Sequence, residues 1–545
     1  MITTALTLKK TPYAHQVVGI EALVKKDEPE SGRVIPGVFA LFDEMGAGKT
    51  KQVIDAMQLL YERGEIDNVI VLVPAAARDV WYDPEIGELK KHLSDDVSCV
   101  ISEYHARTRT WKHGPPSKKP LRWTITNYEF IRNGSRLMGL LPAATFRTYL
   151  VCDESSAVKN HRAQQTKAVN QLRKRVGRVV LLNGTPIANN PLDMFAQGMI
   201  MHPDILGCKN FTHFRAEYVV MGQERGFPRI LGWRNLEDLQ RRFKPYVLRR
   251  LKKDCLDLPP KLDPVTLTAR LTPESWAIYK EMRDELIAWL DQQTVSVAVQ
   301  AGTKVLRLAQ IAAGFAGGLE DAKWEQEADA EQSDRPVWVP TLLDAPVPSA
   351  PRLKGPVGSS DGPFAPVRWT GREKLDTILE WIEQRFGDEP NEKILLWCRF
   401  RPELWRLHHE LKERWPNADH GMLWGAQKRS ERAETLRLLK PGFAPAGPVV
   451  VCGTTQTGSM AYDFAASHYV MYVSNGTSLF HRKQSEDRVH RPGQTHAHGV
   501  WYGDVVAVGP NGQKTVDHTL VKALRDKDDL ATWTCSAWIR ALEEE

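Results

Sequence analysis

The chain has 545 residues, of which 42% are apolar and 26% charged, and its formal net charge is +6. This length predicts two or more domains, the composition is typical of a soluble protein, and the charge is a mild bias towards polyanions. No apolar run reaches the ~18 residues of a membrane span, and the N-terminus shows no secretory signal pattern. The seven cysteines lack Cys-x-x-Cys spacing, which argues against a zinc site or disulfide framework and fits a reducing cytosol.

Two segments of the chain alternate short apolar runs with stretches of helical length. The strand candidates are Val38–Phe42, Val69–Val73, Thr124–Thr126, Tyr149–Cys152 and Val179–Leu182 in the first segment, and Ile394–Trp397, Val449–Cys452, Tyr469–Val473 and Gly499–Tyr502 in the second. This alternation predicts parallel sheets with crossover helices. Between the segments, Leu271–Ala313 has helical spacing. Asp321–Thr370 holds eight prolines and is predicted to form no secondary structure.

A glycine-rich stretch, Asp-Glu-Met-Gly-Ala-Gly-Lys-Thr, runs from Asp43 to Thr50 between an apolar run and a helical pattern. Gly46 and Gly48 would let backbone N–H groups close around phosphates, and the positive end of the helix favours an anion. Lys49 is therefore predicted to reach the β/γ-phosphates of a nucleoside triphosphate, and Thr50 to ligate Mg²⁺. The general pattern begins with Gly, where this chain has Asp43.

Two consecutive carboxylates, Asp153 and Glu154, follow another apolar run. Asp153 is predicted to hold Mg²⁺, and Glu154 to orient and deprotonate the attacking water. An isolated Asp-Glu pair is usually a solvated turn, but its place after a strand and ~100 residues beyond a phosphate loop favours the catalytic interpretation. A later loop, from Leu182 to Asn190, includes Gly184 and Thr185 and is predicted to sense the γ-phosphate.

The segment that begins at Gln484 carries Arg488 and Arg491, which are three residues apart. On a helix they would share one face, and two guanidiniums aimed the same way suit the charge of a phosphoryl transition state. The alternative is a basic helix end with ordinary salt bridges.

Basic and aromatic residues also interleave in Arg241–Lys244 and Trp397–Arg401. Such clusters could bind nucleic acid, or they could be ordinary surface with snorkelling side chains.

Together these motifs resemble helicase superfamily 2 ATPases, and more narrowly the Snf2 family of DNA translocases. The resemblance covers nearly all of the chain except Asp321–Thr370. Its blocks follow the family order: Pro12 to Gly19 with Gln16; Asp43 to Thr50; Pro74, Trp81 and Glu85; Leu182 to Ile187; Leu248 to Asp254 with Leu258, Pro259 and Lys261; and Gln484 to Gln494. Two departures are visible. Ser156 replaces the family's His in motif II, and Gly458 to Asp463 replaces its Gly-x-Gly-Leu-Asn-Leu in motif V.

The resemblance implies an α/β fold of two RecA-like lobes, each a mainly parallel sheet flanked by helices, with helical protrusions and a Pro-rich insertion. It implies lobes at 1–262 and 371–545, a helical linker with the insertion at 263–370, and an ATP served by both lobes. ATP and Mg²⁺ are the implied cofactors. The implied site residues are Lys49, Glu154, Arg488 and Arg491 for catalysis; Gln16, Gly46, Gly48, Lys49, Thr50 and Gln484 for ATP binding; Thr50 and Asp153 for the metal; and Trp81, Gly184, Thr185, Arg249, Arg250, Arg399 and Gly458 for coupling or DNA contact.

Three functions remain open at this point. The first is an ATPase that moves along double-stranded DNA and remodels DNA or protein–DNA complexes. The second is a strand-separating or strand-annealing helicase acting on forks, single strands or RNA, which would need a wedge element not identified in the sequence. The third is a nucleic-acid-binding module with a decayed ATPase, against which the intact ATP-site residues argue. The absence of chromatin-reading or nuclease segments suits a bacterial or phage protein that works in the cytoplasm on nucleic acid.

Overall fold

The computed structural model of the chain describes residues 8–25, 35–74, 77–82, 87–105, 110–113, 120–184, 191–224, 227–292, 298–317, 367–389, 391–425, 427, 429–440, 443, 445, 447–458, 463–494 and 499–526. These residues divide into two units, the first ending at Asp257 and the second beginning at Leu258. The boundaries at 262 and 370 that the sequence suggested stay predictions. Among the described helices, none combines the length and apolar character needed to cross a lipid bilayer.

The first unit is built on an eight-stranded sheet and a separate hairpin. Its strands are β1 (Val38–Leu41), β2 (Asn68–Val73), β3 (Cys99–His105), β4 (Thr110–His113), β5 (Leu121–Asn127), β6 (Thr148–Cys152), β7 (Arg178–Leu182), β8 (Val219–Glu224), β9 (Phe227–Trp233) and β10 (Val247–Leu248). The sheet has the order β10-β1-β7-β6-β2-β5-β3-β4, and only the β3–β4 pair is antiparallel. β8 and β9 form the hairpin.

Helices cover both faces of this sheet, which explains why its strands read as unbroken apolar runs. In β1, Val38 and Ala40 pack on one face and Phe39 and Leu41 on the other. The helices are α1 (Ala14–Val24), α2 (Lys49–Glu62), α3 (Arg78–Tyr82), α4 (Glu88–His92), α5 (Tyr128–Ile131), α6 (Gly134–Leu140), α7 (Gln164–Arg173), α8 (Asp193–Met201), α9 (Pro203–Leu206), α10 (Phe211–Tyr218), α11 (Leu236–Phe243) and α12 (Lys252–Cys255).

The second unit contains a six-stranded sheet in which every neighbouring pair is parallel, in the order β11-β18-β17-β14-β16-β15. Its strands are β11 (Val265–Arg270), β12 (Phe315–Gly317), β13 (Val367–Trp369), β14 (Lys393–Cys398), β15 (Asp419–Leu423), β16 (Val449–Thr454), β17 (Tyr469–Tyr472) and β18 (Trp501–Val508). Its helices are α13 (Pro273–Gln292), α14 (Ala298–Ala312), α15 (Glu373–Asp388), α16 (Arg401–Arg414), α17 (Arg429–Leu438), α18 (Thr455–Gly458) and α19 (Leu479–Asp487), followed by a helix over 516–526.

These elements confirm the predicted α/β class with two mainly parallel sheets flanked by helices. Each of the nine predicted strands overlaps an observed one. The prediction that Asp321–Thr370 forms no secondary structure is wrong at its end, because β13 pairs with β12. That pairing is stabilised by Phe315, which is buried and lies edge-on to the rings of Trp369 and Phe400. Residues 318–366 lie outside the described part of the chain.

Candidate nucleotide site

The glycine-rich loop joins the end of β1 to the start of α2. Gly46 and Gly48 have φ values of 87° and 78°, in the left-handed region that glycine adopts without steric strain. Lys49 is the first residue of α2, and its ammonium donates to the carbonyl oxygens of Asp43 at 2.7 Å and Glu44 at 3.3 Å. The Lys49 charge therefore lies across the loop at a helix N-terminus, the arrangement that a phosphate requires.

Helix α1 packs its first turn against this loop. Gln16 is buried, and its side-chain oxygen accepts a hydrogen bond from the Tyr13 backbone N–H at 3.0 Å. A Cβ atom built on Gly48 would lie 2.2 Å from the Gln16 side-chain nitrogen, so the amide of Gln16 lies directly against the loop. The His15 ring nitrogen Nε2 is 3.0 Å from the Ala47 carbonyl oxygen. Gln16 is thus placed beside the predicted phosphate site, and its role in ATP binding stays a prediction.

Asp43, the residue that departs from the general loop pattern, is fully buried and paired with Arg250. Arg250 Nε donates to Asp43 Oδ1 at 2.9 Å, and its Nη2 donates to Asp43 Oδ2 and to Gln52 Oε1. Gln52 in turn donates to Asp43 at 3.2 Å, and Arg250 Nη1 donates to the His15 carbonyl. Asp43 therefore fastens the start of the loop to α1, to α2 and to the segment after β10.

Arg249 makes hydrogen bonds next to the same loop. Its Nη1 donates to the carbonyl oxygens of Phe42 at 3.1 Å and Gly184 at 3.3 Å. The Lys252 backbone N–H donates to Glu44 Oε2 at 2.8 Å. The sequence grouped Arg249 and the neighbouring Arg250 with coupling or DNA contact. The structure places both beside the phosphate loop, because β10 pairs with β1.

Removing the Arg250 guanidinium is expected to destabilise the first unit. Arg250→Met leaves the buried Asp43 carboxylate without its ion-pair partner, which costs about 3–5 kcal/mol. We expect a lower urea midpoint, and the Arg250→Met/Asp43→Asn double variant should recover most of the loss. Arg178→Met is the matched control, because the Arg178–Glu65 pair at 2.6 Å is only partly buried. Equal decreases of the urea midpoint in Arg250→Met and Arg178→Met would contradict the stabilising role of the Asp43–Arg250 pair.

The predicted acidic pair lies at the carboxyl end of β6. The Asp153 carboxylate accepts hydrogen bonds from the Trp81 indole N–H at 2.8 Å and from the Glu154 backbone N–H at 3.0 Å. Trp81 is 1% exposed, so the structure places it behind the carboxylate rather than on the surface. The hydroxyl of buried Tyr128 donates to the Asp153 carbonyl at 2.8 Å. These contacts hold Asp153 in one orientation.

Glu154 has φ 50° and ψ 57°, a left-handed conformation that is uncommon for a residue other than glycine. Such a conformation persists only where surrounding contacts impose it, and it is concentrated at functional sites. Asp153 before it is hydrogen-bonded to β2 through its backbone N–H and the Leu72 carbonyl at 2.8 Å. The residue predicted to be the general base therefore has a strained backbone conformation.

Oxygen donors of the kind Mg²⁺ prefers are present in this unit. The predicted ligands are the Asp153 carboxylate and the Thr50 hydroxyl, and both residues follow the carboxyl end of a strand of the same parallel sheet. The hydrogen bonds from Trp81 and Glu154 reach different oxygens of the Asp153 carboxylate and so fix its orientation. These residues fit the implied metal.

Ser155 links the acidic pair to the loop that follows β7. Its hydroxyl, fully buried, donates to Gln197 Oε1 at 2.7 Å, and Asn183 Nδ2 lies 3.5 Å from the same hydroxyl oxygen. A Cβ on Gly184 would lie 2.4 Å from Met45 Cγ, so this position needs glycine for its close approach to the phosphate loop. Although Ser156 replaces the family's His, the neighbouring Ser155 still connects the acidic pair to the loop after β7. Thr185 lies outside the described residues.

In the second unit the predicted arginines follow helix α19. The helix carries buried Gln484 and ends at Asp487, so the prediction that Arg488 and Arg491 share one helical face is wrong. Pro492 disfavours a helical conformation at Arg491. The Arg488 carbonyl instead accepts from the Phe464 backbone N–H at 2.9 Å. Arg491 Nε lies 3.6 Å from Asp463 Oδ1, and Gly493, two residues further on, has a φ of 103°.

Arg399 and Gly458 lie near the carboxyl ends of β14 and β16. The Arg399 backbone N–H donates to Ser474 Oγ at 2.7 Å. A Cβ on Gly458 would lie 2.4 Å from the Trp397 ring, so glycine is required there by packing. Trp397 is fully buried, as are Phe400 and Phe243. The aromatic members of the interleaved clusters thus belong to the core, which favours the interpretation of those clusters as ordinary surface rather than base-stacking sites.

A family model described as "SNF2-related domain" matches residues 15–312, which is more than half of the chain. The chain belongs to this SNF2-related family. The predicted Snf2 membership is thereby confirmed, and an ATP hydrolase is the class of enzyme that membership implies. The match spans the whole of the phosphate loop, the acidic pair and the Arg249–Arg250 segment described above.

Individual relatives of this SNF2-family chain are distant. A C. elegans protein named "SWI/SNF-related matrix-associated actin-dependent regulator of chromatin subfamily A containing DEAD/H box 1 homolog" is 21% identical, covering 89% of this chain and 48% of its own length. The mouse "DNA annealing helicase and endonuclease ZRANB3" is 29% identical over a region that covers 40% of this chain and 20% of the mouse protein. The solved structure "Sulfolobus solfataricus SWI2/SNF2 ATPase core in complex with dsDNA" aligns with a TM-score of 0.40 at 19% identity. The alignment covers 100% of this chain and 98% of the chain in that structure. The chain spans less than half of each of these curated relatives.

Several residues that build the SNF2-type site were not identified from the sequence. Gln52 joins the Asp43–Arg250 pair, Tyr128 supports the acidic pair, and Gln197 receives Ser155. A polar residue on an otherwise buried helix was the available signal for Gln52 and Gln197. In the second unit Arg482 was also missed. Its i,i+4 spacing to Glu486 is visible in the sequence, but its partner on β18 is not.

Proposed function

We propose that this SNF2-family protein is a DNA-dependent ATPase that uses ATP hydrolysis to move along double-stranded DNA and to remodel DNA or protein–DNA complexes. The observation that carries the ATPase part is the phosphate loop of the first unit. It follows one strand of a parallel sheet, and the Asp153–Glu154 pair follows another strand of the same sheet. Ligands of open parallel sheets bind outside the carboxyl ends of the strands, where both groups lie.

Each predicted residue has a distinct task in this proposal. Lys49 binds the β/γ-phosphates, Gln16 and Gln484 bind the rest of the nucleotide, and Glu154 orients the attacking water and takes its proton. Mg²⁺, when held by Thr50 and Asp153, neutralises phosphate charge. Trp81 and the Glu154 backbone keep the Asp153 carboxylate oriented for that task. Arg488 and Arg491 stabilise the charge that develops on the transferred phosphoryl group.

The polymer part of the proposal rests on family membership and charge. The relatives named above include one named as a regulator of chromatin and one named as a DNA annealing helicase and endonuclease. The net charge of +6 is compatible with a polyanionic partner. Trp81, Arg249 and Arg250, which the sequence grouped with DNA contact, are buried or engaged within the first unit. Residues elsewhere are therefore proposed to contact the duplex, and Arg399 is among the predicted candidates that remain.

The proposal is tested by measuring ATP turnover of the full chain with duplex DNA, single-stranded DNA and RNA in parallel. We expect duplex DNA to activate turnover most strongly, since a translocase hydrolyses ATP productively only when its track is bound. Glu154→Gln is the negative control in each arm. Stronger activation by single strands or RNA would favour the strand-separating or strand-annealing helicase. Silence with all three polymers would favour the binding module without ATPase activity.

A further inference from the structure

The Arg482 guanidinium on α19 is a buried charged group with several partners in the second unit. It donates to Asp504 Oδ1 on β18 at 2.5 Å, to Asn475 Oδ1 at 2.8 Å and to Glu486 Oε1 at 2.6 Å. Its Cζ atom lies 3.4 Å from the centre of the Tyr472 ring. All five residues are between 0% and 8% exposed. The guanidinium thus joins the helix to β17 and β18 through contacts that exclude water.

A second set of contacts holds the last turn of the same helix. Glu486 forms an ion pair with Lys261, and the Tyr502 hydroxyl donates to the Glu486 carbonyl at 3.0 Å. The Tyr472 hydroxyl lies 2.6 Å from Ser485 Oγ, within hydrogen-bonding distance. The Lys261 ammonium also lies 5.0 Å from the centre of the Tyr502 ring. The end of α19 is therefore fixed on two sides.

Glu486 and Arg482 keep their charges at neutral pH. Burial would raise the pKa of Glu486, but Lys261 and Arg482 hold it at about 2. Burial would likewise lower the pKa of Arg482, but the carboxylates of Asp504 and Glu486 raise it above its usual value. Removing one member would leave a buried charge without a partner, which is unfavourable. The helix accordingly has one preferred position against the sheet.

We infer that Arg482 is a positioning residue for Arg488 and Arg491. This inference rests on the proposed function, in which those two arginines act on the transition state. Helix α19 ends at Asp487, one residue before Arg488, so the position of the helix end sets where the backbone of both arginines begins. Arg482 acts through Asp504 and Glu486, because these groups and Asn475 surround its guanidinium. Its own contribution to the reaction is indirect.

The planar guanidinium matters for this role as much as the charge does. Arg482 donates to three residues, Asp504, Asn475 and Glu486, through a rigid fork of donors, whereas the ammonium of a lysine is a single compact charge. Arg482→Lys should therefore keep the net charge and the fold while loosening the helix end. A displacement of about 1 Å at a catalytic group costs on the order of 10²-fold in rate.

The test compares Arg482→Lys and Asp504→Asn with the unmodified full-length protein. We expect kcat for duplex-stimulated ATP hydrolysis to fall about 10²-fold, while KM for ATP changes little, since the affected groups act in the transition state. Asp504→Asn reports on the same contact if Arg482→Lys folds poorly. In an Arg491→Lys background, Arg482→Lys should cause a much smaller further loss, because residues that act as a unit are not additive.

The matched control is Lys374→Met. Lys374 forms a buried ion pair of 2.7 Å with Asp517 and donates to the Val473 carbonyl in the same unit, so this variant also removes a buried charge, but from contacts in which Arg482 takes no part. All rates are compared at a temperature where every variant is folded by circular dichroism. Equal kcat losses in Arg482→Lys and Lys374→Met, or fully additive losses with Arg491→Lys, would overturn the inference. If Arg482→Lys keeps full turnover while Arg491→Ala loses it, the positioning role of Arg482 is wrong and the proposed function stands. If Arg491→Ala keeps full turnover, the proposed function is wrong as well.

Discussion

Replacing Glu154 by Gln is expected to leave ATP binding intact while stopping hydrolysis. The amide has the same shape as the carboxylate but cannot accept the proton of the attacking water, and general-base catalysis contributes typically about 10²–10⁴-fold. The left-handed backbone at Glu154 and the hydrogen-bonded Asp153 beside it fix where that side chain begins. We therefore expect a fluorescent ATP analogue to bind with unchanged affinity, while phosphate release with duplex DNA falls at least 10²-fold.

Two controls make the Glu154→Gln result specific. Lys49→Ala removes the ammonium that lies across the phosphate loop, so it should lose both nucleotide affinity and turnover. Glu62→Gln makes the same chemical change at the exposed last residue of α2 and should leave both measurements unchanged. Turnover of Glu154→Gln at the unmodified rate would refute the role of Glu154 as general base.

Arg491→Ala is expected to nearly abolish duplex-stimulated turnover. Guanidinium stabilisation of a phosphoryl transition state is worth roughly 10³–10⁵ in kcat. ATP affinity should change much less, because the charge that Arg491 stabilises develops only during the reaction. Steady-state turnover measures kcat, and equilibrium binding of the ATP analogue measures the affinity for the nucleotide. Since Lys49 and Glu154 belong to the first unit and Arg491 to the second, this loss would show that hydrolysis depends on both units.

Arg414→Ala is the matched control for Arg491→Ala. Arg414 also lies in the second unit, but its partner is the exposed Glu383 on a neighbouring helix. Exposed pairs of this kind contribute about 0–1 kcal/mol to stability, so the control should fold and hydrolyse ATP normally. If Arg491→Ala hydrolyses ATP as fast as Arg414→Ala, the transition-state role of Arg491 is wrong.

Local chemistry made a large part of this fold predictable. Strands buried on both faces read as unbroken apolar runs, and the nine predicted runs all became strands. The strands that were missed lack that signature. β15 (Asp419–Leu423) begins with charged and polar residues, and β10 (Val247–Leu248) has only two residues, which is too short for any pattern.

In the candidate site, likewise, only the features that depend on local sequence were predictable. The amino-acid sequence by itself located the glycine-rich loop and the acidic pair, because the glycine conformations and the residue spacing that define them are local. Spacing alone misplaced Arg488 and Arg491 on one helical face, because the helix ends at Asp487. The tertiary structure alone decided what holds them. Asp43 meets Arg250 across 207 positions of sequence, and Arg482 meets Asp504 across 22. A charged residue shows its sign in the sequence, but its partner is chosen by which strands become neighbours in a sheet.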